Sequence, residues 1–204
     1  MKIFIRFIVF GLAILVLSSG GFGSRFHEVV DRVKSKTLKS RLLHFKNSGI
    51  EKHIDTSAYD REKVIEVAKS YLGTRHRMHG TSKSGIDCSG LVMMAHKSCN
   101  IHLPHNSHEA ARFGKIIPHM EELQRGDLVY FYNTYKTSDL LTHSGIYLGE
   151  GKFIHSTFKH GVIISSIHDP YYWKDKFLFG TRPKPAAAAP LAAVQILSDS
   201  TATE

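Results

Sequence analysis

"THSGIYLGEGKFIHST", residues 142–157, sets two runs of apolar, β-branched and aromatic residues on either side of Gly149, Glu150 and Gly151, a pattern that predicts two antiparallel strands joined by a tight turn. Pairing about a three-residue loop puts His143 opposite Thr157 and Gly145 opposite His155. The two histidines then hold diagonal positions on one face, about 7 Å apart between backbones, and a register centred on Gly149 would make them direct partners. Either way they share a face. Further strands are predicted at 128–132 (LVYFY), 162–165 (VIIS) and 177–180 (FLFG). Ahead of them the period is helical. Asp60 caps a helix whose stripe is Val64, Val67, Ala68, Tyr71 and Leu72, with Gly73 as the stop. A second helix runs from Cys88 to about Cys99, and a short third one from Asn106 to Gly114, with Glu109 as its capping-box partner. Helices followed by hairpin-linked strands read as α+β, with N-terminal helices packed on an antiparallel sheet.

The ends of the chain have a different character. Residues 1–24 begin with Lys2 and Arg6, continue with eleven apolar or small residues from Phe7 to Leu17, and reach Ser18, Ser19 and Gly20. That is the layout of a secretory leader, and the run is short of the roughly 20 apolar residues of a spanning helix, so it reads as a signal peptide or as an uncleaved N-terminal anchor. With no cysteine at its end, it is not a lipoprotein signal. Residues 25–55 read as a basic, partly helical linker, 56–182 as the folded domain, and 183–204, rich in Ala, Pro and Ser, as a disordered tail. Of the net charge of +9, seven units fall before His53. The basic excess therefore suits proximity to a membrane or an anionic wall polymer, and no nucleic-acid partner is expected.

The two cysteines are Cys88 and Cys99. On one helix they would be roughly 16 Å apart, at about 1.5 Å per residue, beyond the ~7 Å that a disulfide spans. Cys88 is thus expected to be a free thiol in the first turn of a helix, where the dipole and unpaired N–H groups favour thiolate, opposed by Asp87 unless that carboxylate caps the helix. Gly90 lets another chain or a substrate approach that turn. A free thiol near two histidines of one sheet face suits a nucleophile, base and orienter, filled by Cys88, His143 and His155.

YLGTRHRMHG, GIDCSGLV, LPHNS, LQRGDLVYF, THSGIYLG and FIHST, in this order, resemble the NlpC-type papain-like cell-wall cysteine peptidases over about residues 60–182. The resemblance implies a papain-like α+β fold with the nucleophile at a helix N-terminus. It also implies that Cys88 is the nucleophile, that His143, opening the His-x-Gly-Ile-Tyr strand, is the base, and that His155 on the next strand orients it. The family's tyrosine at the position of His76 helps hold the oxyanion, and Asp87 and Ser89 flank the nucleophile, so His76, Asp87 and Ser89 are the expected oxyanion and substrate contacts. No cofactor and no metal are implied.

The function expected is a peptidoglycan endopeptidase of the periplasm or cell envelope, exported and either released or anchored in the inner membrane. It would cut stem peptides at the D-glutamyl to diamino acid bond or at a cross-link. Two other readings stand beside it: a wall-binding module without catalysis, and a zinc site built on Cys88, His143 and His155.

Overall fold

The computed structural model describes residues 24–183. The expected leader up to Gly23 and the tail beyond Pro183 lie outside the described residues. In chain order the elements are α1 (Phe26–Arg32), α2 (Lys36–Asn47), α3 (Arg61–Lys69), the two-residue strands β1 (Thr81–Ser82) and β2 (Gly85–Ile86), α4 (Cys88–Lys97) and α5 (Ser107–Ala110). There follow β3 (Lys115–Ile117), β4 (Leu128–Phe131), β5 (His143–Gly149), β6 (Lys152–Thr157), β7 (Gly161–Ser166) and β8 (Phe177–Arg182). The last six strands form one antiparallel sheet in the order β3-β8-β4-β5-β6-β7.

The central hairpin adopts the three-residue-loop register: Ile146 pairs with Ile154 and Tyr147 with Phe153, before a bulge brings Gly149 opposite Lys152. Gly149, Glu150 and Gly151 all take positive φ, which two glycines make inexpensive. Side chains alternate across the sheet, and both faces are covered. Leu128, Tyr130, Ile146 and Ile154 belong to a large core shared with Val64, Ile65 and Ala68 of α3 and Leu91, Val92 and Ala95 of α4. Val129, Phe131, Tyr147 and Phe153 face the other way, into a smaller cluster with Trp173 and Phe177. That double burial explains why LVYFY reads as a continuous apolar run rather than an alternation.

Asp60 caps α3 through Lys63 N–H, and Asn106 caps α5 through Glu109 N–H, as the sequence predicts. Other boundaries move. Buried Ile65 joins the α3 stripe, and Leu72 stands 47% exposed beyond the helix end. The third helix stops at Ala110, so that residues 115–117 can pair with β8 as the strand β3, which the sequence reading did not contain.

The larger difference concerns residues 25–55. They are helical, but their apolar stripe is part of the core: Phe26, Val29, Leu38, Leu42 and Phe45 are all buried. Phe26 lies against Phe45 and Phe179 at ring distances of 5.9 and 5.4 Å. Arg25 pairs with Glu122, and Arg32 donates to the carbonyls of Pro118 and Leu178. The high charge of the segment suggested a solvated linker, whereas that charge sits on the outer face of helices that cover the body. α2 also reaches the site: Arg41 donates to the Ser138 and Asp139 carbonyls at 3.0 and 2.6 Å, holding the loop between β4 and β5.

Two expectations follow for stability. Phe45→Ala empties a buried ring position and should cost about 3–5 kcal/mol in urea unfolding; a loss below about 0.5 kcal/mol, as for a surface residue, would make the segment a tether after all. His96 is buried on α4 with its Nδ1 bonded to Val92 O and its Nε2 unpartnered, and burial pushes its pKa down to about 4. The unfolded chain therefore takes up this proton first as pH falls from its ordinary value near 6.5. Its contribution is fully present above that pH and should be lost, at about 1.4 kcal/mol per pH unit, until the folded state also binds the proton. Urea midpoints that do not move between the two values would refute this.

Candidate active site

α4 begins at Cys88 because Asp87 caps it: Gly90 N–H donates to Asp87 Oδ1 at 2.6 Å. The same oxygen accepts from the Ser89 hydroxyl at 3.1 Å and lies 2.9 Å from His105 Nε2. Asp87 Oδ2 accepts from His79 N–H at 2.7 Å. The sequence left the Asp87 cap as one of two possibilities, and the structure adopts it; the close approach at Gly90 is made by the chain itself. A Cβ there would stand 2.2 Å from the Gly80 carbonyl oxygen, so the glycine lets the segment carrying His76 to Gly80 lie on the first turn of the helix.

Cys88 is partly buried and free, as is buried Cys99. Its Sγ lies 3.7 Å from the Ser107 hydroxyl, which in turn is 2.9 Å from that of Ser144. Burial pushes the thiol pKa up, and the Asp87 charge adds to this. The Ser107 hydroxyl and the N–H groups of Ser144 and Ser89 work in the opposite direction. Burial and the Asp87 charge thus oppose the stabilisation of thiolate that the helix start supplies.

His143 opens β5 and His155 sits in β6, and their rings meet with His143 Nε2 2.8 Å from His155 Nδ1. His155 Nε2 is 2.9 Å from the Ser165 hydroxyl on β7. Gly145 makes room for this pair, since a Cβ there would press on the Ile154 carbonyl, the Phe153 ring and the His155 Cβ. Trp173 lies 5.0 Å from the His143 ring and 4.8 Å from that of His155, and Phe153 stacks on His155 at 4.3 Å. In this apolar enclosure burial pushes His143 down to about 3, with a smaller push from His76, and holds His155 well below its ordinary value.

Cys88 and His143 open into one cavity of about 740 Å³, together with His76, Asp139, Phe158 and Trp173. The His76 Nδ1 lies 3.2 Å from the Ser156 hydroxyl, and its ring is flanked by Phe158. Burial pushes His76 below its ordinary pKa, and Asp87 opposes this. Asp87 and Ser89 also border the cavity, but the Ser89 hydroxyl is spent on Asp87. Ser89 is thus placed to hold the cap more than to meet a substrate. Ser107, Ser144, Ser165, Trp173 and His105 were not predicted; Ser107 and Ser144 lie inside LPHNS and THSGIYLG, and the single tryptophan was the remaining signal.

The zinc alternative does not fit this geometry. The facing nitrogens of His143 and His155 bond each other, and Cys88, His143 and His155 do not converge as ligands. Among the described residues, the three donors that do come together are Glu28, His119 and Glu122, and the Arg25 guanidinium already bonds both carboxylates.

The profile of the NlpC/P60 family matches residues 73–182. The chain is 29% identical over 181 residues to the murein DD-endopeptidase MepS/murein LD-carboxypeptidase of Escherichia coli, an alignment covering 85% of this chain and 91% of that protein. It is 33% identical over 175 residues to the probable endopeptidase NlpC homolog of Haemophilus influenzae, covering 81% and 91%. The crystal structure of an NlpC/P60 family protein from Bacillus cereus superposes with a TM-score of 0.56 at 29% identity, over 63% of this chain and 41% of that one, so this chain spans less than half of that structure. The fold is accordingly the expected papain-like α+β arrangement, and the chain belongs to the NlpC/P60 family.

Proposed function

We propose that this protein is a cysteine peptidase that hydrolyses peptide bonds of peptidoglycan stem peptides, with Cys88 as nucleophile, His143 as general base and His155 as the residue that orients it. The observation that carries this is the chain from Cys88 and His143, in one cavity, through the 2.8 Å contact of His143 Nε2 with His155 Nδ1 to Ser165. A consistent proton order runs along it. For His143 to accept a proton at Nδ1, its Nε2–H donates to His155 Nδ1, and His155 Nε2–H donates to the Ser165 hydroxyl oxygen.

Burial pushes the thiol pKa up and that of His143 down, which favours the neutral pair and a proton transfer that accompanies attack. Cys88 Sγ bonds to the substrate carbonyl carbon while its proton passes to His143, and the carbonyl oxygen becomes an oxyanion. The Cys88 backbone N–H, in the first turn of α4 where helix donors have no intrahelical partner, is one donor to that oxygen. His143 returns the proton to the leaving amine as the C–N bond breaks, and a thioester forms. Water, deprotonated by His143, then cleaves the thioester and restores the thiol.

The Escherichia coli relative aligns over nearly its whole length and carries a DD-endopeptidase name, which favours a cross-link over the D-glutamyl bond as the site of cleavage. Work in the cell envelope agrees with the murein named for that relative and with the leader pattern of residues 1–24. No helix among the described residues is long and apolar enough to cross a membrane. The intact Cys88, His143 and His155 set argues against a wall-binding module without catalysis.

The full chain incubated with purified sacculi should release muropeptides that mass spectrometry assigns to one bond type. Cys88→Ala and His143→Ala should each lower release roughly a thousandfold or more, and the double variant should lose little beyond either single one. Sacculi that bind wild type and Cys88→Ala alike without fragmentation would point to the binding module.

A further inference from the structure

The tautomer of His76 is fixed by a group behind it. The Ser156 hydroxyl is buried, with 1% of its surface exposed, and donates to the Ile86 carbonyl oxygen at 2.7 Å. A carbonyl can only accept, so the one hydroxyl proton is committed there. The same Oγ lies 3.2 Å from His76 Nδ1 and has only lone pairs left to offer. His76 Nδ1 must therefore carry a hydrogen. A neutral imidazole has one N–H, so the other nitrogen, Nε2, holds a lone pair.

His76 lines the cavity that holds Cys88, and a lone pair at Nε2 is the wrong polarity for a carbonyl oxygen gaining negative charge there. We propose that His76 is a proton-gated donor to the oxyanion: Ser156 fixes its neutral ring as the Nδ1–H form, so that Nε2 donates only in the imidazolium, and hydrolysis is favoured in mildly acidic medium. The inference rests on the peptidase reading given above. It deepens that reading by naming a residue that couples it to pH. His76 takes its proton from solvent and keeps it through turnover, so the atoms exchanged between substrate, Cys88, His143 and water are unchanged.

The groups around the ring decide when it is charged. Asp87, at the start of α4, favours the imidazolium, and burial opposes it. His143 on β5 and Cys88 on α4 share the cavity, as do Lys159 and His160 from the β6–β7 turn and His79 from the same segment as His76. Burial pushes His143 down to about 3, whereas His76 has the Asp87 charge opposing a burial that lowers it, so the base and the donor differ in how far burial disfavours their charged forms. A tyrosine at this place would offer an O–H donor at every pH below its own ionisation.

Two measurements on the full chain test this. Long-range 1H–15N correlation spectra of wild type should show His76 as the Nδ1–H tautomer at neutral pH, and Ser156→Ala should release it. In parallel, kcat/KM for muropeptide cleavage is followed between pH 4.5 and 8 for wild type, His76→Tyr and Ser156→Ala, with folding checked at each pH by circular dichroism. Wild type should lose up to roughly a hundredfold as pH rises through the His76 titration, the effect of removing one oxyanion donor. His76→Tyr should lack that decline, and Ser156→Ala should show a smaller one, because its neutral ring can place the hydrogen on Nε2. A neutral Nε2–H tautomer in wild type, or the same decline in His76→Tyr, overturns the inference and leaves the peptidase reading standing. No cleavage by wild type at any pH overturns the peptidase reading, and this inference with it.

Discussion

The Asp87 carboxylate is the fixed point of the site. Its two oxygens take the N–H of Gly90, the N–H of His79 and the hydroxyl of Ser89, and meet the ring of His105. These groups come from the first turn of α4, the segment of His76 to Gly80 and the stretch leading into α5. Cys88, His76 and Ser107 are thereby held by one buried charge. The arrangement carries a cost, because a carboxylate beside the thiol raises its pKa. Turning that charge onto the helix N-terminus and three further groups is what makes an acid tolerable next to the thiol.

The second constraint is the parity of the sheet. His143, Gly145 and Tyr147 alternate with Ser144 and Ile146, so one face of β5 carries the histidine while the other packs on the helices. Ser144 consequently reaches Ser107 under the thiol while His143 reaches His155 and Trp173. A slip of one residue between β5 and β6 would place His155 on the wrong side. The positive φ values at Gly149, Glu150 and Gly151 guard against that slip, since they hold the bulged turn that brings Gly149 opposite Lys152.

Much of this was legible because it is local. The glycine-flanked turn put His143 and His155 on one face in either register, Asp60 and Asn106 announced helix starts, and the helical spacing of Cys88 and Cys99 argued against a disulfide. What escaped depends on distant parts of the chain. Phe26 and Phe45 show their role only when Phe179 closes over them, so a charge-rich segment was read as a tether. Strand β3 has three residues and exists because β8 offers an edge. The His155 to Ser165 contact required the β6–β7 pairing, and the polarity of His76 required a hydroxyl eighty residues away whose proton goes elsewhere.

Burial sets the protonation of the site's histidines and makes the fold sensitive to acid. Removing His143 from water favours its neutral form, and the same effect depresses His155 and His96. Each such ring lowers stability in acid, because the unfolded chain binds the proton that the folded one refuses. His76 differs in standing at the cavity wall beside Asp87, where a charge is less costly. The fold thus separates its histidines by depth. Those packed against Trp173 or inside α4 resist protonation most, whereas His76, at the cavity wall, has the Asp87 carboxylate to favour its charge against burial.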